Sequence, residues 1–181
     1  MLKDRFDWLL VALLAAATIS LLVLLATKSP DAGGSRANAS ITKAMEQQMA
    51  TQARVAFLQK LYAPVETMRT AGDLQGALFK LDELARTYPG EAHSFILKGE
   101  IQHQLGADDE AIANYVQGIK LSGDYIDRNS PLSRRDDIQR LVDTAGRTIA
   151  SRFHANPDNA SLATAMKNVN YLKSRLAGGC E

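Results

Sequence analysis

The sequence predicts an all-α protein: one N-terminal transmembrane helix followed by a short solenoid of helical hairpins and a C-terminal helix pair that caps it. Three observations predict this class. One uncharged apolar run lies near the N terminus, apolar residues after it recur at helical spacings of three and four, and a block of residues is repeated further along the chain at a fixed period.

The apolar run, Trp8–Ala26, predicts a transmembrane helix over residues 8–27. At 1.5 Å of rise per residue the run spans roughly 28 Å, close to the hydrocarbon thickness of a bilayer. A cleaved signal peptide is the alternative, but its apolar region is shorter and a small-x-small cleavage site follows it closely. The nearest such site, Ala37–Ala39, lies well beyond the run, which favours an uncleaved anchor.

The orientation of this helix is predicted from the short N-terminal tail, residues 1–7. Lysine and arginine residues lie on both sides of the run, so their count does not decide the orientation. So short a tail most simply stays in the cytoplasm while the rest of the chain crosses. Small residues on one face predict a site of close helix approach, although alanine is common in such segments: Ala12, Ala16 and Ser20.

Two segments connect the anchor to the repeats. Residues 28–40 are rich in small and polar residues and predict a flexible tether. Residues 41–57 predict an amphipathic helix, and Pro64 further along predicts a kink or an interruption. The apolar stripe consists of Ile41, Met45, Met49, Val55, Leu58, Leu61 or Tyr62, and Val65.

Residues 58–125 contain two copies of one repeat. The spacing between Gly72 and Gly106 in the sequence gives the length of each copy. These two glycines align, and a residue free to take positive φ there would end a first helix and reverse the chain. Ala77 aligns with Ala111, where a small side chain would let two helices cross closely. The residues that define the repeat are Gly72, Ala77, Pro89, Gly99, Gly106, Ala111 and Tyr115.

These residues resemble the tetratricopeptide repeat. The second unit, residues 92–125, fits its pattern best, through Phe95, Gly99, Gly106, Ala111 and Tyr115. The first unit, residues 58–91, keeps Gly72, Ala77 and Pro89 but has Pro64 and Val65 where the family usually has Leu and Gly.

The resemblance implies binding of a protein segment, since members of this family typically hold one in a concave groove lined by the first helices. The lysine and asparagine set that clamps a terminal carboxylate in some members is absent. An ordinary solvated surface is the alternative, because any amphipathic helix has a polar face. The resemblance places eight residues in the groove: Gln59, Tyr62, Glu66, Arg69, His93, Ile96, Glu100 and His103.

Residues 126–177 predict a helix pair that closes the solenoid, and residues 178–181 a short tail. Ser130–Pro131 would cap one long helix, because Arg140–Leu141 stands where a third repeat needs its helix break. The turn at 156–159 then leads into a final helix.

Composition excludes several classes of function. A net charge of +1 argues against a nucleic-acid partner, and the single cysteine, Cys180, excludes an internal disulfide framework. His93, Glu100 and His103 share one helical face, but a single Glu-x-x-His lacks the other ligands of a di-iron site. We therefore expect no metal, no cofactor, no small-molecule substrate and no enzymatic activity.

An N-terminal membrane helix followed by such repeats resembles the assembly factors of the bacterial envelope. The resemblance implies an adaptor in the bacterial inner membrane, single-pass, whose periplasmic domain binds a protein partner during the biogenesis of cytochromes or membrane complexes. A structural accessory subunit, held in a larger integral complex by its transmembrane helix, is the alternative.

Overall fold

The computed structural model describes positions 14, 16–20, 22–23 and 32–178, with the backbone alone at 32–39. All regular structure in these ranges is helical, which confirms the all-α class. The chain divides into two units, Met1–Gln52 and Ala53–Glu181, and the buried core lies in the second.

Most of the predicted transmembrane helix, residues 8–27, lies outside the described residues. Within the described part, no helix is both long enough and apolar enough to cross a bilayer. Of the predicted contact face, Ala12 is not described, whereas Ala16 and Ser20 are helical and exposed.

Residues 32–178 contain six α-helices and one turn of 3₁₀ helix. In chain order they are α1 (Ala32–Thr70), α2 (Leu74–Thr87), α3 (Ala92–Gln104), α4 (Asp108–Leu121), the 3₁₀ turn Gly123–Tyr125, α5 (Arg135–Ala155) and α6 (Ala160–Leu176).

Helix α1 differs from the prediction in two places. Residues 32–40 form its first turns, so the flexible tether predicted over 28–40 is wrong for these residues. Extending an existing helix fixes one residue for each hydrogen bond gained, which offsets the cost of the two glycines in this stretch, and no proline stops the helix here. The helix also continues through Pro64 without interruption. Pro64 and Lys60 are both exposed, so water can take the hydrogen bond that the Lys60 carbonyl loses.

The chain reverses after α1 and after α3, as the repeat predicts. Gly72 and Gly106 adopt φ angles of 84° and 76°. After α1, the Gly72 N–H donates to the Arg69 carbonyl at 3.1 Å and the Asp73 N–H to the Met68 carbonyl at 2.9 Å.

The reversal after α3 has the same two bonds one repeat later. The Gly106 N–H donates to the His103 carbonyl at 3.0 Å and the Ala107 N–H to the Gln102 carbonyl at 2.8 Å. Both reversals are therefore Schellman motifs, in which a left-handed glycine satisfies the last carbonyls of a helix.

Close packing holds α3 against α4. A Cβ atom added to Gly99 would lie 3.1 Å from the Ala111 carbonyl oxygen and 3.2 Å from the ring of Tyr115. Ala111 in α4 and Ala77 in α2 are fully buried, as expected for residues where helices cross. Pro89 lies in the turn that follows α2. The repeat-defining residues thus occupy helix ends and helix crossings.

Residues 126–134 form turns, so the long C-terminal helix begins at Arg135 and not at Ser130–Pro131. Polar side chains here bond to the backbone nearby and so compete with the helix. Asp127 accepts from the Asn129 N–H at 2.9 Å, and Ser130 accepts from the Leu132 N–H at 3.1 Å. Helix α5 then runs unbroken past 140–141, as predicted.

The C-terminal helix pair covers the end of the repeats. Helix α6 packs against both α5 and α4. Its buried face contains Val169 and Leu172, neither of which is exposed. Gly178 follows α6 with a φ of 84°, and residues 179–181 lie outside the described part.

Replacing Gly106 by alanine tests the left-handed reversal. No atom lies within 4 Å of the added Cβ, so the cost is backbone strain alone. We expect Gly106→Ala to lower the free energy of unfolding by about 1–2 kcal/mol, measured by urea denaturation.

Gly123→Ala is the matched control. Its φ is not positive and its Cβ would only touch Arg175 Nη2 at 3.8 Å, so we expect no loss of stability. Equal losses in the two variants would contradict this explanation of the reversal.

Candidate functional site

Three of the predicted groove residues lie in the core and not on an open surface. Tyr62, His93 and Ile96 are 1%, 7% and 0% exposed. The rings of Tyr62 on α1 and His93 on α3 pack against each other, and the side chain of Ile96 packs against Gly118 on α4. The prediction that these three residues face a groove is therefore wrong.

Tyr62, His93 and Tyr125 form a buried aromatic cluster. The rings of Tyr62 and His93 lie 4.9 Å apart, edge to face. His93 Nδ1 lies 3.0 Å from the Tyr125 hydroxyl, which is hydrogen-bonding distance. Burial, and then the positive charge of Arg134, lower the pKa of His93 to about 4. Burial likewise raises the pKa of Tyr62 to about 12 and that of Tyr125 above its ordinary range. The cluster is uncharged at neutral pH and has a structural role.

Burial of a neutral His93 predicts a loss of stability in acid. The unfolded chain takes up a proton near pH 6.5, whereas the folded chain resists protonation down to about pH 4. The stabilisation is therefore complete above the unfolded pKa and falls as the pH drops through this window. We expect the free energy of unfolding to decrease by about 3 kcal/mol across it.

His93→Phe, followed by chemical denaturation at several pH values, checks the source of this slope. The variant should lose most of the slope, while a control at the exposed His154, His154→Gln, should keep it. A full slope in His93→Phe would contradict the assignment.

The remaining predicted groove residues separate into two groups. Gln59 is exposed on α1 and does not line the cavity that the others share. Arg69, Glu100 and His103 line one cavity of about 350 Å³, and Glu66 reaches it through its ion pair with Arg69. We call this cavity the arginine cleft; it is lined by Arg69, Glu100, His103, Gln104, Tyr115, Arg134, Asp137 and Arg140.

The arginine cleft follows the register of the repeat. Arg134 lies one repeat length after Glu100, and Asp137 lies one repeat length after His103. His103 in turn lies one repeat length after Arg69. Equivalent positions of successive repeats therefore converge on one site. The prediction missed Arg134, Asp137 and Arg140. Moving the predicted groove positions one more repeat length along the sequence would have found the first two.

An ion pair joins the second repeat to the segment that follows it. Arg134 Nε donates to Glu100 Oε1 at 2.7 Å, and Arg134 Nη1 donates to the Ser133 carbonyl at 3.2 Å. Only 12% of the Glu100 side chain is exposed. Burial raises the pKa of Glu100, and Arg134 offsets part of this effect. Arg134 therefore favours the charged form of a buried carboxylate inside the cleft.

The other arginines of the cleft have local partners. Arg69 donates through Nε at 2.8 Å and Nη2 at 2.6 Å to the same oxygen of Glu66. Arg140 Nη2 donates to Asp137 on the same helix. Burial, and after it the negative charges of Glu100 and Asp137, raise the pKa of Tyr115. Arg69 and Arg140 are thus each paired with a carboxylate on their own helix.

The chemistry of the cleft is that of polar recognition. Its walls offer guanidinium, amide and imidazole groups beside a buried tyrosine. Among the described residues, no group of three or more His, Cys, Asp or Glu side chains could hold a metal ion. Comparison with protein-family models and with curated proteins finds no match to this chain.

Removing Arg134 tests the ion pair. Arg134→Gln leaves Glu100 buried without a cation, so we expect a loss of about 2 kcal/mol in the free energy of unfolding. The loss should be larger at neutral pH than in acid, where Glu100 is protonated. Arg128→Gln, an exposed arginine nearby, serves as the control and should change little.

A double-mutant cycle with Glu100→Gln completes this test. The double variant should recover more than half of the stability that Arg134→Gln loses. Independent, additive effects of the two substitutions would show that the pair does not act as a unit.

Proposed function

We propose that this protein is a membrane-anchored adaptor of tetratricopeptide-repeat type, which binds a segment of a protein partner in the arginine cleft. The single observation that carries the proposal is the convergence of Arg69, Glu100, His103, Arg134 and Asp137. A binding site built from successive repeats draws equivalent positions of each repeat to one surface, and these five residues have that spacing.

The membrane part of the proposal rests on the sequence. Trp8–Ala26 is uncharged and long enough to span a bilayer. An anchor of this kind holds the repeats beside a membrane complex and raises the effective concentration of the cleft for a partner there. We propose a periplasmic domain on a single-pass helix of the bacterial inner membrane, and a role in the assembly of envelope complexes.

The same proposal includes no catalytic step. An adaptor positions its partner by hydrogen bonds and ion pairs and performs no turnover. Its binding energy then comes from a few anchoring groups in a partly enclosed site, which is how grooves commonly recognise peptide segments.

Site-specific photocrosslinking in native membranes tests the function. A photoreactive residue at Gln104, which is exposed and lines the cleft, should form an adduct with one discrete protein. The same residue at Gln117, which is exposed on α4 and does not line the cleft, is the matched control and should form none.

Equal adducts at Gln104 and Gln117, or none at Gln104, would contradict a cleft-based adaptor.

The accessory-subunit alternative makes a different prediction. In that case Ala12→Leu combined with Ala16→Leu releases the protein from its complex, whereas an adaptor stays bound through its cleft.

A further inference from the structure

The arginine cleft has spare hydrogen-bond donors. A guanidinium group carries five N–H donors and no acceptor. Within the described chain, Arg69 and Arg134 each make two side-chain donations, and Arg140 makes one. More than half of the donors on these three side chains are thus left for water or for a ligand.

The acidic groups that line the cleft are each paired with an arginine. Glu100 is mostly buried and accepts from Arg134, and Asp137 accepts from Arg140. Asp137 also lies in the first turn of α5, where the helix dipole favours a negative charge. Each of these two carboxylates is thus neutralised by an arginine, whereas the arginines keep N–H donors that no group in the described part of the chain uses.

Two further arginines line a cavity that adjoins the cleft. A second cavity of about 610 Å³ shares Arg134, Asp137 and Arg140 with the first. Arg128 and Arg135 line it too, so four arginines face two aspartates there. Arg135 is bonded to the carbonyls of Ile126 and Leu176, whereas Arg128 is exposed and adds its charge to this surface.

We propose that the partner segment carries aspartate or glutamate side chains, whose carboxylates are bound by the unused N–H groups of Arg69 and Arg140. This inference rests on the proposed function and specifies the chemistry of its partner. Arginine matches the planar carboxylate with two parallel hydrogen bonds, and such charge-assisted bonds are the strong ones. Arg134 and Arg128 offer further N–H donors to other carboxylates of the same segment.

Selection from a random peptide library, displayed against the full-length chain in detergent, tests this inference. The peptides should be displayed internally, with no free terminus, so that only side-chain carboxylates are available. We expect the selected peptides to be enriched in aspartate and glutamate relative to the input library. The enrichment should disappear when the same library is selected against Arg69→Gln combined with Arg140→Gln.

Three variants make the test specific. Arg140→Gln alone should leave the fold unaffected, since 71% of this side chain is exposed. It should weaken binding of a selected peptide by about tenfold, the usual value of one charge-assisted hydrogen bond. Arg140→Lys keeps the positive charge but loses the planar guanidinium that makes two parallel hydrogen bonds, so it should restore only part of the affinity. Arg147→Gln, an exposed arginine on the same helix outside the cleft, should bind as the native chain does.

The outcomes separate this inference from the proposed function. Selected peptides without acidic enrichment, or with an affinity that Arg140→Gln leaves unchanged, would overturn the acidic partner while the adaptor role stands. No selected peptide, together with no adduct at Gln104, would overturn both. Enrichment that persists in Arg147→Gln and is lost in Arg69→Gln combined with Arg140→Gln supports the inference.

Discussion

The left-handed turns at Gly72 and Gly106 are the constraint on which the rest of the structure depends. Each turn satisfies the last carbonyls of a helix and reverses the chain with the same pair of backbone hydrogen bonds. Because the turns lie one repeat length apart, the helices that precede them bring equivalent residues to equivalent places. The buried core and the arginine cleft both follow from this spacing.

The aromatic cluster and the arginine cleft differ in how burial affects the charge of their ionisable groups. In the aromatic cluster, burial keeps His93 neutral, so the site contributes packing and one hydrogen bond. In the arginine cleft, Glu100 is nearly as buried, but the guanidinium of Arg134 at 2.7 Å favours its charged form and offsets part of the rise in its pKa that burial causes. One site is sealed and structural. The other stays open to solvent through Arg140 and Gln104, and so is available to a partner.

The helical class and the reversals could be predicted because they depend on local chemistry, such as glycine at a positive φ and alanine where helices cross. The groove was harder to predict. Repeat positions alone placed Tyr62 and Ile96 on an open face, although Tyr62 is buried against His93 and Ile96 against Gly118. Their side-chain chemistry favoured burial, and the charged members of the same set, Arg69 and Glu100, did reach the cleft.

The starts of α1 and α5 were predicted wrongly because weak local conformational preferences compete at these positions. Residues 32–40 join α1 because extending a helix is easy, while side chains such as Ser130 hold the backbone in turns ahead of α5. Arg134 and Asp137 were missed because the third repeat lacks its own reversal. The register nevertheless persists, and it places both residues in the cleft.

A structure of the chain bound to the partner segment captured through Gln104 would test the central claim most directly. We predict that the segment lies in the arginine cleft, with a side-chain carboxylate within hydrogen-bonding distance of Arg69 or Arg140. A segment bound against the outer faces of α2 and α4, with the cleft still filled by solvent, would contradict it.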